Sequence, residues 1–262
     1  MDFLANKYAH SRDNFITFDE GPHIYTVHGD SSFTSVTTFV HGNFSHFDSN
    51  TTVDKILSGK KWMNEPTYKY YQKTKKEILQ MWEDKRVASA TAGTKLHYDI
   101  ECYYNVSPNV NDSVEYQYFK NFVNDFPNLK AYRTEWMVYY EELKLSGSID
   151  MIFENEDGDL EIYDWKRSEE FKYEDSYNNK CSPTPCLSHI PDTNFWHYSL
   201  QLNMYKTILE HKYDKKVVGL YLVRLHPNDK NYERVKVPFL DVGSSRVDLQ
   251  ACKLEYSIVS PK

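Results

Sequence analysis

Residues 15–40 alternate apolar and polar side chains in three short runs, FITFDE, HIYTVHG and SFTSVTTFV. A period of two predicts extended segments, and Gly21-Pro22 and Gly29-Asp30 supply the turns of a hairpin. The period then lengthens. Residues 51–62 and 67–86 read as helices with Ile56, Leu57, Ile78, Leu79 and Trp82 on the buried side. Gly93-Thr94 reads as the start of another helix, over 91–104, closed by Asn105 and Pro108. A further helix covers about 112–125, before Pro127.

Beyond residue 130 the chain becomes aromatic and β-branched. AYRTEWMVYYEE (131–142), KLSGSIDMIFE (144–154) and LEIYDWKR (160–167), joined by short polar turns, predict a three-strand meander. An irregular stretch, 171–192, carries Pro183, Pro185 and Pro191. Residues 193–213 form a helix that Thr193 or Asp192 caps, with Leu200, Met204, Ile208 and Leu209 inward. VVGLYLVRLHP (217–227) is an apolar strand and ERVKVPFL (233–240) a weaker one. The order α-β-β-β-α-β predicts one α/β layered domain over residues 1–262.

The totals add limits. A chain of 262 residues with 40% hydrophobic residues can bury a full core. No apolar run approaches the roughly 20 residues that span a bilayer, and the first residues carry no signal or transit pattern. These features predict an intracellular protein that does not enter a membrane. Cys102, Cys181, Cys186 and Cys252 are too scattered for a disulfide framework. Cys181 and Cys186, followed by His189, have no second close pair to complete a zinc site, so a plain reduced loop is expected there.

The net charge of −7 disfavours a general attraction to nucleic acid, yet the charge is uneven. Residues 55–86 hold nine Lys/Arg and four Asp/Glu, a net +5 against −12 for the remainder. That stretch is either a solvated helix face or a wall that meets phosphates.

The candidate chemistry sits in the meander. Asp164 and Lys166 share one face of their strand, because side chains alternate. Asp150 joins that face only if the connection to the next strand has an odd residue count, and an odd or bulged loop near Asp157-Gly158 is expected. Two carboxylates directly opposed repel each other unless a cation lies between them. Oxygen ligands with an open side suit Mg²⁺ or Mn²⁺. His97 and Glu101 are four apart on one helix face, as are Gln201 and Tyr205 on the helix after the meander. Glu135, in TEWMV, is either a solvent-side charge or a further acid at the metal.

GTxxH, GSID, DWK and QLNMY, in that order, resemble the RecB-type branch of the PD-(D/E)XK nuclease superfamily. This branch includes mitochondrial genome maintenance exonucleases and lambda-exonuclease-like enzymes of large DNA viruses. The segment SFTSVTTFV also resembles the Ser-Val-Thr stretch of the mitochondrial group. The resemblance spans about residues 33–205 and implies a restriction-endonuclease-like αβββαβ core, 87–240. An N-terminal hairpin and helical region, 1–86, would guide substrate, and 241–262 would be a C-terminal extension. It implies that His97, Asp150, Asp164 and the backbone carbonyl of Trp165 ligate one or two Mg²⁺ or Mn²⁺ ions. Lys166 would be the catalytic lysine and Gln201 and Tyr205 the QxxxY pair; Glu101 and Glu135 match less closely. The Pro of the family's Pro-Asp motif is Ile149 here. Several relatives hold an iron–sulfur cluster on four cysteines, but the spacing here does not match, so no cluster is expected.

The implied activity is metal-dependent hydrolysis of DNA, as an exonuclease on ends or single strands. Two other readings stand beside it: a manganese-dependent RNA endonuclease of the cap-snatching type, and a non-catalytic nucleic-acid-binding module on the same fold.

Overall fold

A computed structural model of the protein describes residues 2–107, 109–174 and 179–240. The expected extension, 241–262, lies outside the described residues. The chain divides into two compact units, residues 46–95 and the remainder.

The larger unit begins with helix α1 (Phe3–Lys7), the antiparallel hairpin β1 (Ile16–Asp19) and β2 (Ile24–Val27), and the two-residue strand β3 (Thr34–Ser35). SFTSVTTFV is not a third hairpin strand. Only Thr34 and Ser35 are extended, and the rest is helix α2 (Val36–Gly42). Ser35 explains the switch: its Oγ accepts the Thr38 N–H at 3.0 Å, an N-cap that outweighs the β-branched character of the run.

Residues 46–95 contain α3 (Ser49–Leu57), α4 (Lys60–Asn64) and the first part of α5 (Lys75–Tyr104). Val53, Tyr70 and Ile78 form the buried centre, with Ile56, Leu57, Leu79 and Trp82 packed around it, the side that periodicity selects. Within this basic stretch Lys75 pairs with Asp54 and Arg86 with Glu83. The helices expected over 67–86 and 91–104 are one 30-residue helix, α5. Thr74 and Glu77 cap its start reciprocally, and the alanines of ASATAGT carry it through Gly93. A Cβ added at Gly93 would meet nothing within 4 Å. Gly93→Ala is therefore expected to stabilise this helix by about 0.5–1 kcal/mol, read as a higher urea midpoint; a lower midpoint would show that the glycine is required.

In the larger unit the chain continues through α6 (Val114–Asp125), β4 (Lys130–Tyr140), β5 (Leu145–Glu154), β6 (Leu160–Lys166), α7 (Asn194–Lys212), β7 (Val217–Arg224) and β8 (Glu233–Lys236). The αβββαβ order is thus present, with α6 inserted after its first helix. The strands make a mixed six-stranded sheet of order β3-β5-β6-β7-β8, with β4 on β5. The β6/β7 and β3/β5 pairs are parallel and the others antiparallel. α7 packs with Leu160, Ile162, Leu220 and Leu222 in one cluster. The end of α5 and α6 pack with Phe153, Tyr163, Trp165 and Val223 in the other. Leu200, Met204, Ile208 and Leu209 of α7 are buried as expected, but so are Leu202, Asn203 and Thr207, so the helix is enclosed on most sides. Thr193 stands at its N-cap without a capping bond, and Asp192 pairs with His197 at 2.9 Å instead.

The two edges of β5 are covered unequally. β4 runs along the whole of one edge, while β3 takes residues 145–146 and β6 residues 151–154 of the other. Residues 147–150, Gly-Ser-Ile-Asp, fall between those two partners. The sheet has a gap at GSID.

Candidate metal centre

Asn155–Asp159 connect β5 to β6, five residues with Gly158 at φ 82°, so the connection is odd as the shared face requires. Asn155 Oδ1 organises it by accepting the N–H groups of Asp157 and Asp159. The β5/β6 ladder runs from Glu154↔Leu160 to Met151↔Tyr163, and one step further brings Asp150 opposite Asp164. On the other side, Thr134↔Met151 and Trp136↔Ile149 put Glu135 opposite Asp150. Three acids on adjacent strands therefore lie in one row of the sheet.

Glu135 has φ 43°, a left-handed conformation that costs a non-glycine residue about 1–3 kcal/mol. Its neighbours hold it there. Arg133 and Trp136 both donate to Asp13, each at 2.8 Å, and both are buried. The Glu135 carboxylate accepts the Ser148 hydroxyl at 2.9 Å.

His97, from α5, faces the same place. Its Nε2 lies 2.8 Å from the Trp165 carbonyl, which can only accept, so Nε2 carries the proton. Nδ1 is then the side turned to Asp150, at 3.5 Å, and Glu135, at 4.0 Å. A neutral imidazole would present a lone pair to two carboxylates, an arrangement that a cation between them makes favourable. The donor atoms of His97, Glu135 and Asp150 all lie within 4.8 Å of one another. Opposite ligands of a six-coordinate Mg²⁺ are about 4.2 Å apart, so the three fit one small hard cation after minor contraction. The residues present suit a divalent metal.

The backbone of Trp165 holds this arrangement from below. Its N–H donates to Asp150 Oδ2 at 3.0 Å while its carbonyl takes His97. Both groups point into the gap where β5 would otherwise pair. The indole is buried against Phe119 and Phe122 of α6, with ring centroids 5.6 and 5.3 Å away, which anchors that backbone. The carbonyl thus helps to orient the imidazole.

Asp164 forms an ion pair with Lys166. Its Oδ2 is 2.7 Å from Lys166 Nζ, and their side chains are 3% and 18% exposed. Burial pushes the Asp164 carboxyl up to about 6, opposed by Lys166 and reinforced by Asp150. Burial pushes Lys166 down, but Asp164 and Asp150 outweigh it and the ammonium is held above its ordinary value.

Burial raises the Tyr205 hydroxyl, with Gln201 acting the other way, and the tyrosine ring packs against Gly147 of GSID. A Cβ on Gly147 would lie 2.7 Å from that hydroxyl oxygen, so the glycine makes room for the tyrosine. Glu101 stands one turn beyond His97 with its carboxyl raised by burial, outside the group of three.

Glu135, left open by its sequence position, is inside the group. Ser148 and Tyr25 join the site without any signal in the sequence pattern. Burial, then Glu135 and Asp150, push the Tyr25 hydroxyl of β2 up to about 12. The alternation of the first hairpin gives no sign of that role. Among the cysteines, Cys102 and Cys181 are in no disulfide, whereas Cys186 is disulfide-bonded, so the 181–186 loop is not the wholly reduced segment expected. Among the described residues no helix is long and apolar enough to cross a membrane.

The Glu135 side chain is 35% exposed, with one oxygen on the Ser148 hydroxyl and the other 4.0 Å from His97 Nδ1. Burial, then Asp150, raise its carboxyl to about 8. In metal-free protein the unfolded chain ionises Glu135 in the ordinary carboxylate range, while the folded chain keeps the proton to about pH 8. Folded-state stability is therefore expected to fall as pH rises across that window. Melting in excess chelator should show this decline. Glu135→Gln should flatten it and raise Tm at pH 8 by about 2–4 °C; an equal slope in the variant would rule out this origin.

Residues 71–251 match a family model described as the PD-(D/E)XK nuclease superfamily. No curated protein matches the chain.

Proposed function

The chain belongs to the PD-(D/E)XK nuclease superfamily, and from that premise we propose that it hydrolyses DNA phosphodiester bonds with Mg²⁺ or Mn²⁺, acting on DNA ends or single strands. The observation that carries the reading is the convergence of His97 Nδ1, Glu135 and Asp150, beside a half-buried Lys166. Two carboxylates so close repel each other once ionised, and a shared cation relieves that repulsion.

A bound divalent ion supplies Lewis-acid polarisation of the scissile phosphate. His97, Glu135 and Asp150 would hold it, with Asp164 at its flank. Lys166 keeps its charge beside Asp164, and would orient the attacking water or stabilise charge on the phosphate oxygens; one such placed group is worth about 3 kcal/mol of barrier. Gln201 and Tyr205 support the GSID strand that carries Asp150. Trp165 holds both Asp150 and His97 through its backbone.

The experiment is a digestion of end-labelled single-stranded DNA, blunt duplex, circular DNA and RNA of the same sequence, with Mn²⁺, Mg²⁺ or chelator. Metal-dependent products from linear DNA, absent with chelator and slow on circles, are expected. Cleavage of RNA alone would move the assignment to the ribonuclease reading, and metal-independent cleavage would remove the site from the reaction.

A further inference from the structure

Tyr198 lies on α7 three residues before Gln201 and seven before Tyr205, a spacing that keeps all three on one stripe of the helix. Its ring centroid is 4.6 Å from Lys166 Nζ. The ammonium therefore has two neighbours of different kinds: the Asp164 carboxylate at 2.7 Å and the Tyr198 ring. Tyr198 is itself packed against the main core and meets Phe171 with ring centroids 6.2 Å apart. The ring is thus a fixed surface.

A lysine carries its charge on a flexible four-carbon stem, and an ion pair alone leaves that stem several rotamers that satisfy it. The negative face of an aromatic ring adds a second, differently placed restraint. We propose that Tyr198 is a positioning residue for Lys166, its ring face holding the ammonium beside Asp164 in one orientation. The consequence for catalysis rests on the nuclease reading; the hold on Lys166 does not. The ring face does this work, so the hydroxyl is dispensable.

The test compares full-length Tyr198→Phe and Tyr198→Leu with the unmodified chain by two measurements. One is the rate at which acetic anhydride acylates Lys166, read by peptide mass spectrometry. The other is steady-state cleavage of a labelled DNA oligonucleotide with Mn²⁺. Tyr198→Leu should acylate Lys166 several-fold faster and lose about tenfold in kcat with little change in KM, the size expected for a partly desolvated cation–π contact. Tyr198→Phe should match the unmodified protein in both. Unchanged acylation in Tyr198→Leu, or equal losses in Phe and Leu variants, would overturn the proposal. If circular dichroism shows that Tyr198→Leu misfolds, Tyr198→Met fills similar space without a ring face and carries the same expectations. Should the unmodified protein cleave no nucleic acid, the nuclease reading fails, while the acylation rates still decide whether Tyr198 holds Lys166.

Discussion

Asp150→Asn is expected to lower kcat by at least about 10³-fold and to abolish tight Mn²⁺ binding in a calorimetric titration. The substitution is chosen because the amide oxygen can still accept the Trp165 N–H that Asp150 now takes at 3.0 Å. The strand geometry should therefore survive. What disappears is the charge next to His97 Nδ1 and opposite Glu135. With one carboxylate gone the metal-free protein loses a repulsion, so its Tm should hold or rise even as activity vanishes. Lys166→Ala is expected to be equally inactive while still binding Mn²⁺, because Lys166 is not among the converging donors. Cleavage at the unmodified rate by either variant would sink the assignment. An Asp150→Asn protein that binds Mn²⁺ as tightly as before would place the ion elsewhere.

Gly147→Ala should do comparable damage by a different route. The new methyl group would sit 2.7 Å from the Tyr205 hydroxyl oxygen and 2.9 Å from Cε1 of the ring. Tyr205 is buried and rigid, so either the ring or β5 must move. Overpacking of this kind costs about 1–3 kcal/mol, which should appear as a Tm lower by about 2–10 °C. The displaced strand carries Asp150 three residues on, so activity should fall further than stability alone predicts. Removing the closest atom should relieve part of the strain, so Gly147→Ala with Tyr205→Phe should melt above Gly147→Ala. A strictly additive double variant would show that the two side chains do not collide.

Much of this arrangement is legible in the sequence because it depends on short-range rules. Strand alternation puts Asp164 and Lys166 on one face, and they are in contact. The requirement for an odd connection follows from parity alone, and five residues separate β5 from β6. Helical spacing pairs Gln201 with Tyr205. The same spacing could have found Tyr198, one turn earlier on the same stripe. Local rules fail where two of them compete. Gly93 reads as a helix start, yet flanking alanines carry the helix through it; Ser35 converts a β-branched run into a capped helix.

The sequence by itself determined the order of helices and strands from α6 onward, the faces of β6 and the set of residues able to carry charge to a metal, because periodicity and residue chemistry act within a few positions. Only the tertiary structure decided which of those residues meet. Glu135 joins His97 and Asp150 through a left-handed backbone that Arg133, Trp136 and Asp13 hold from elsewhere in the chain. The Trp165 carbonyl turns to His97. Such choices depend on contacts between segments tens of residues apart, where the gap beside GSID leaves backbone groups and carboxylates to find partners that no local pattern encodes.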